Sequence, residues 1–322
     1  MSVYTKVEPD ELFTFLQRYS IGKLIHYSGI SAGVTNTNYW LETEMGQYVL
    51  TLFEHLDNAG LDYVLGLQHH LADKGVNCTA PIVDNEGLLF SPLNHKLATI
   101  VNRIPGSVCR NPAVDQCRQI GAELARFHLA GLSYKNHKSN SRGLNWWKSI
   151  SQQLHDVLDD ADLNLIDLVI EDFELTDLAD LPQGALHGDL FHDNVLFDGD
   201  CLGGIIDFDY ACYDYLIYDM AVTANDWCID SEGALLPEKM SSFIAAYNEV
   251  RLLQACELTA LPMMLEVAAL RFWLSRLHDF NFPLKGELTF VKDPVEFRKM
   301  LLLRREKPIS FTNTKTGKYS SE

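Results

Sequence analysis

The sequence predicts an α+β fold in two lobes, a small antiparallel β lobe followed by a larger, mainly helical one. Three observations carry this. Short runs of strand character fill most of the N-terminal third. Beyond about residue 110 the apolar residues recur at helical spacing. Among the later helical segments lies "LHGDLFHDNVLF", Leu186 to Phe197, apolar at its ends and crowded with His, Asp and Asn in its middle. A chain of 322 residues, 47% hydrophobic and 22% charged, is long enough for two lobes with cores of their own. The expected division is 1–104 and 105–322, with the polar tail after about residue 305 loosely ordered.

The elements follow in order. "EPDELFTFLQRYS" reads as a first helix with Pro9 near its first turn. "IGKLIHYSGI", "TNYWLET" and "QYVLTLFE" read as strands, the last two joined by a turn at "MGQ". "LDYVLGLQHHLADKG" has helical periodicity and ends on Gly75, a C-terminal cap. Strand-like pieces run on to "LATIVNRIPG". "PAVDQCRQIGAELARFHLAGL" is a helix with Pro112 in its first turn, and "NWWKSISQQLHDVLDD" and "LNLIDLVIEDFELTDL" are two more. A strand pair around Gly199 and Asp200 follows the polar stretch, then helices to about residue 280.

Composition removes several function classes. A net charge of −18 opposes broad attraction to nucleic acid or an anionic membrane, while a small anionic ligand needs only a local positive field. The N-terminus has no basic region followed by a long apolar run, so no signal peptide is expected. "LTALPMMLEVAALRFWLSRL" carries Pro262, Glu266, Arg271 and Arg276 and reads as a core helix rather than a membrane span. The seven cysteines are scattered, without a CxxC pair, as in a cytoplasmic protein with reduced thiols.

From the residues alone, the polar stretch admits a metal site, an acid/base pair or a polar turn. Spacing narrows this. Asn194 follows Asp189 by five positions, and Asp207, at the end of an apolar run, lies thirteen beyond that. Asn194 and Asp207 offer oxygen donors of the kind Mg²⁺ prefers. Asp189 would then face the reacting group and accept a proton from an attacking alcohol.

"H-G-D-L-x-x-x-N", as His187-Gly188-Asp189-Leu190 to Asn194, followed by "I-I-D-F", resembles the catalytic and metal-binding loops of protein-kinase-like small-molecule kinases, the aminoglycoside phosphotransferase and choline kinase superfamily. The resemblance implies a two-lobe kinase fold, with ATP as donor and Mg²⁺ as metal. It implies Asp189 as catalytic base, Asn194 and Asp207 as Mg²⁺ ligands, and His187 and Asp219 as supports of the loop. His192 and Asp193 fall at variable positions, and Asp209 could reach a second metal or the substrate. The nucleotide would lie under the hairpin "SGISAGVTNTNYWLE", near Gly29, Ser31, Gly33, Asn36 and Asn38, with adenine against the connector at Asn102 to Ile104. Many members carry a Lys on the third strand, where this chain has Thr51, so either another group neutralises the phosphates or metal ions and loop amides hold them.

"GISAG" with "NTNY" and "YVLTLFE", "NSRGLNWW", and "YDMAVTANDWC" with "LRFWLSRL" resemble the homoserine kinase branch. The implied acceptor is L-homoserine, a zwitterion that needs a cation for its carboxylate and an anion or carbonyls for its ammonium. Arg271 and Arg142 are the candidate cations and Asp226 the candidate anion, with internal ion pairs the competing use of each. Trp146 and Trp147 read as packing residues; as an aromatic cage they would favour a choline-like acceptor. The alternatives are a kinase of another hydroxy-amine (choline, hydroxylysine or an aminoglycoside), a non-catalytic nucleotide-binding module, and an iron site built on His187, Asp189 and His278.

Overall fold

The computed structural model describes residues 5–30, 36–282, 292–313 and 318–320. Two compact units emerge. The first takes the chain as far as Pro105 together with Gly203–Ile206, and the second takes Gly106–Leu202, residues 207–282 and the described residues from 292 onward.

In the first unit, α1 (Pro9–Leu16) begins with proline, where a missing N–H costs nothing, and the Glu11 side chain accepts the Glu8 N–H at 2.8 Å. β1 (Leu24–Gly29), β2 (Thr37–Thr43) and β3 (Gly46–Phe53) follow, the last two joined at Glu44 and Met45. β2 alternates between core and surface, as a half-buried strand should. α2 (Asn58–Asp73) is capped by Asp57, which accepts the Gly60 N–H at 2.8 Å. It ends as expected at Gly75, whose φ of +83° lets Gly75 and Val76 return N–H groups to Ala72 and Leu71. β4 (Ser91–Leu93) and β5 (Lys96–Asn102) complete an antiparallel sheet ordered β1-β2-β3-β5-β4. Leu12, Phe15, Leu41, Leu50, Leu52 and Ile100 pack into one core. Ile205 joins this unit by bonding Asn77 and Thr79.

The second unit starts with β6 (Ser107–Val108) and α3 (Val114–Gly131). Pro112 lies before α3 rather than in its first turn, because Ala113 is extended and the Gln116 side chain caps its N–H at 2.9 Å. α4 (Leu144–Leu154) stops earlier than its periodicity predicts, since Asp159 caps the next helix by accepting the Asp162 N–H. That helix is α5 (Asp160–Leu175). β7 (Gln183–Leu186), a 3₁₀ turn (His192–Asn194), β8 (Val195–Asp198), β9 (Cys201–Ile205) and β10 (Cys212–Tyr215) follow. β7 pairs with β10, and β6, β8 and β9 form a second small sheet. The helices α6 (Leu216–Trp227), α7 (Pro237–Val250), α8 (Ala255–Asn281) and α9 (Val295–Glu306) build the core.

α8 is the helix that held the membrane question. Its apolar window is 78% buried within the protein, as a core helix requires. In the tail, Ser310–Asn313 and Lys318–Ser320 pair antiparallel as β11 and β12.

α3 and α7 approach closely at Gly121, where a Cβ would lie 2.3 Å from the Phe243 carbonyl oxygen. In an unobstructed helix Gly→Ala stabilises by about 1 kcal/mol. Here Gly121→Ala should destabilise by about 1–3 kcal/mol through overpacking against backbone. A lower urea midpoint checks this; an unchanged or higher one would show that the helices have room.

Candidate active site

The polar stretch leaves β7 at Leu186, and α6 anchors it at three points. Asp219, fully buried, accepts the His187 N–H at Oδ2 and the Gly188 N–H at Oδ1, both at 2.8 Å. The Trp227 indole donates to the Leu190 carbonyl at 3.0 Å. Asp226 accepts the His192 N–H at 2.6 Å and meets its Nδ1 at 2.9 Å. Gly188 has a φ of +75°, and a Cβ there would come within 2.8 Å of the Tyr210 carbonyl oxygen. Glycine is therefore required twice over, by its backbone conformation and by this close approach.

These anchors set the three residues singled out for chemistry. Asp189 is half-buried. Asn194 donates through Nδ2 to the Asp189 carbonyl at 2.8 Å and to Oδ2 at 3.2 Å, which leaves Asn194 Oδ1 as an acceptor. Burial pushes the Asp189 carboxyl up to about 7; Arg271 opposes the rise, while Asp207 and Asp193 add to it. Asp207 follows the β9 hairpin with φ +60°, a left-handed conformation that is unfavourable for an aspartate and marks a constrained position. Its carboxyl accepts the Asp209 N–H at 3.4 Å, and although the residue as a whole is exposed, desolvation by the surrounding protein raises its pKa. Among the described residues no group of three or more His, Cys, Asp or Glu could hold a metal ion. Two oxygen donors, Asn194 Oδ1 and the Asp207 carboxylate, suit a hard cation that keeps waters and substrate oxygens in its remaining positions.

Two arginines meet on one ring that sequence reasoning passed over. Arg271, 3% exposed on α8, places Cζ 4.7 Å from the Tyr210 ring centroid and 3.8 Å from that of Phe272. Arg142 lies 4.5 Å from Trp146 and 5.9 Å from Tyr210. Neither guanidinium makes an ion pair or hydrogen bond with another described residue, so both keep their donor forks for an anion. Of the two uses open to Asp226, the structure shows the internal pair: both of its oxygens engage His192, and the pair braces the 3₁₀ turn. Trp147 packs against Phe173 and donates to the Arg142 carbonyl, a structural use, whereas Trp146 lies under Arg142.

The first unit places the nucleotide candidates unevenly. Ser31 and Gly33 lie outside the described residues. Gly29 ends β1 opposite Tyr39. Asn36 Oδ1 accepts the Glu54 N–H, and Asn38 Oδ1 accepts the Thr51 hydroxyl at 2.7 Å across β2 and β3. Thr51 thus holds the hairpin, and Lys96 on β5 is paired with Glu54 at 2.8 Å. The Asn102 N–H goes to the Ala80 carbonyl and its Oδ1 accepts the Ala80 N–H, so these two groups serve the chain fold. The Arg103 N–H is taken by the Gln47 carbonyl, while Ile104 makes no backbone hydrogen bond to another described residue. The iron-site alternative finds no support in placement. His187 is enclosed by Phe127 and Phe208, while His278 lies beside Asp279 and Phe282.

Comparison with known proteins shows the family. Residues 26–253 match the model of the phosphotransferase enzyme family. The homoserine kinase of Methylobacillus flagellatus is 44% identical over 302 residues, covering 94% of each chain. That of Neisseria meningitidis serogroup B is 41% identical over 94% of this chain and 99% of its own. Among solved structures, amicoumacin kinase hAmiN in complex with AMP-PNP, Ca²⁺ and Ami superposes with a TM-score of 0.68 at 15% identity, covering 93% of both chains. The ethanolamine kinase of Plasmodium vivax gives 0.60 at 16% identity, over 93% of this chain and 84% of that one. The α+β architecture, with an antiparallel sheet in the first unit and helices in the second, is that of these kinases. The chain belongs to the phosphotransferase enzyme family, and within it to the group of homoserine kinases.

Proposed function

We propose that this protein transfers the γ-phosphoryl group of ATP to the side-chain hydroxyl of L-homoserine, giving O-phospho-L-homoserine for threonine synthesis. The observation that carries the reading is the loop in which Asn194 fastens Asp189 beside Asp207, in a chain 44% identical to a homoserine kinase. Asp189 is the base. As the homoserine oxygen forms its bond to the γ-phosphorus and the bond to the ADP oxygen breaks, the alcohol proton passes to Asp189. A carboxyl raised toward neutrality accepts that proton more readily than an ordinary one. Asn194 and Asp207 would hold Mg²⁺, which when bound neutralises charge on the transferring phosphoryl group.

Arg271 and Arg142 receive the substrate carboxylate. A buried guanidinium with no carboxylate hydrogen-bonded to it is costly, and an arriving carboxylate offsets that cost. The aromatic faces of Tyr210, Phe272 and Trp146 hold the two forks in place meanwhile. The Ile104 backbone is the adenine contact this reading favours. The seven free cysteines fit a cytoplasmic enzyme.

A coupled ADP-release assay across homoserine, serine, choline, ethanolamine and kanamycin should show turnover strongest with homoserine. Turnover with choline or kanamycin and none with homoserine would refute the assignment. Arg271→Lys keeps the charge and loses the fork. It should raise the homoserine KM by about tenfold or more while the ATP KM stays near wild type. A homoserine KM that does not move would take Arg271 out of the acceptor site.

A further inference from the structure

Asp219 has a third neighbour that the loop contacts do not explain. On α3, His128 brings Nε2 to 3.2 Å from Asp219 Oδ2. Its Nδ1 is 2.7 Å from the Tyr247 hydroxyl on α7. Arg251, just past α7, donates to that hydroxyl at 3.1 Å and grips both oxygens of Glu257, at 2.9 and 3.2 Å. Glu257 in turn accepts the Gln254 N–H at 2.9 Å, capping α8, the helix that carries Arg271. Asp219, His128, Tyr247 and Glu257 are all fully buried, and the Arg251 side chain is 9% exposed. Such a polar chain crossing a core is costly unless every donor meets an acceptor.

That requirement fixes where the protons lie. Burial holds the His128 imidazole below its usual pKa, against the pull of Asp219 and with the Arg251 cation helping, so the ring is neutral. Burial would raise the Asp219 carboxyl, but the His128 contact and the Gly188 N–H outweigh it, so Asp219 is ionised and can only accept. His128 Nε2 must therefore carry the hydrogen. From the other end, a guanidinium can only donate, so the Tyr247 oxygen is an acceptor toward Arg251 and its own O–H points at His128 Nδ1. Both ends demand the same tautomer.

We propose that Arg251, Tyr247 and His128 are positioning residues for the phosphoryl transfer. Together they lock His128 as its Nε2–H tautomer, which aims the Asp219 carboxylate at the His187 and Gly188 amides and so sets where Asp189 stands. None of the three touches substrate. Their effect on turnover rests on the role of Asp189 proposed above, whereas the tautomer does not.

The test has two arms on the full-length protein. ¹⁵N-histidine NMR, with His128 assigned by comparison with His128→Gln, should show Nε2 protonated and Nδ1 bare near neutral pH. A Nδ1–H tautomer or an imidazolium would overturn the proposal. Tyr247→Phe removes the hydroxyl and keeps the ring. It should mix the His128 tautomers and lower kcat with homoserine about tenfold, with both KM values held. His128→Gln, which can still offer an N–H to Asp219, should retain more kcat than His128→Leu. A Tyr247→Phe enzyme with wild-type kcat and an unmixed tautomer would also overturn it. If the wild type does not turn over homoserine at all, the functional reading fails, while the NMR arm still decides the relay.

Discussion

The catalytic half of this protein is organised around one buried anion. Asp219 sits on α6 with no solvent contact, a position that costs several kcal/mol for an isolated charge. It persists because two backbone N–H groups and an imidazole converge on it. Its carboxyl therefore titrates below the ordinary range when folded. The stabilisation is present above the unfolded-state pKa and is lost as pH falls through the lower folded-state value. The same bonds turn the first two residues after β7 into a fixed platform. Gly188 can take its left-handed conformation against the Tyr210 backbone, and Asp189 projects from a segment that has no freedom left.

From that platform the electrostatics follow. Asp189, Asp193 and Asp207 crowd together, and the cations facing them are few: Arg271 opposes the rise at Asp189, and Lys292 pairs with Asp193 at 3.3 Å. Such a group is short of positive charge, which suits it to a metal ion bound with a polyphosphate. At Tyr210 two guanidinium groups meet, and neither is hydrogen-bonded or ion-paired to a carboxylate of another described residue. An amino acid bearing both a hydroxyl and a carboxylate matches this polarity. Ethanolamine and choline, which have no carboxylate, do not.

Much of this was legible in the order of residues. Asp189, Asn194 and Asp207 are close in sequence and belong to consecutive turns, so their convergence is a local matter that spacing expresses. Arg271 stood out because a charge inside the apolar run "VAALRFWL" demands a reason. What stayed hidden depends on tertiary partners. Asp226 and His192 look like independent polar groups until α6 is laid beside the 3₁₀ turn. Asn102 looks like a hinge residue until its side chain is seen closing onto Ala80. His128 sits in "LARFHLA", on a helical face that is otherwise apolar, where a packed core histidine is the ordinary reading. Tyr210 gave no signal, because its role comes from two arginines distant in sequence. Helix ends were misplaced by a few residues where a capping side chain, at Gln116 or Asp159, overrode periodicity.

On the reading proposed above, Asp189 serves the chemistry and not the binding of nucleotide. Asp189→Asn preserves the size of the side chain and removes its capacity to accept the proton. Measured side by side, ATP affinity of the variant should stay within a few-fold of wild type, while homoserine-dependent ADP release falls by about 10²–10⁴-fold. Near-normal turnover in Asp189→Asn would contradict the account, as would a loss of turnover explained wholly by lost ATP binding.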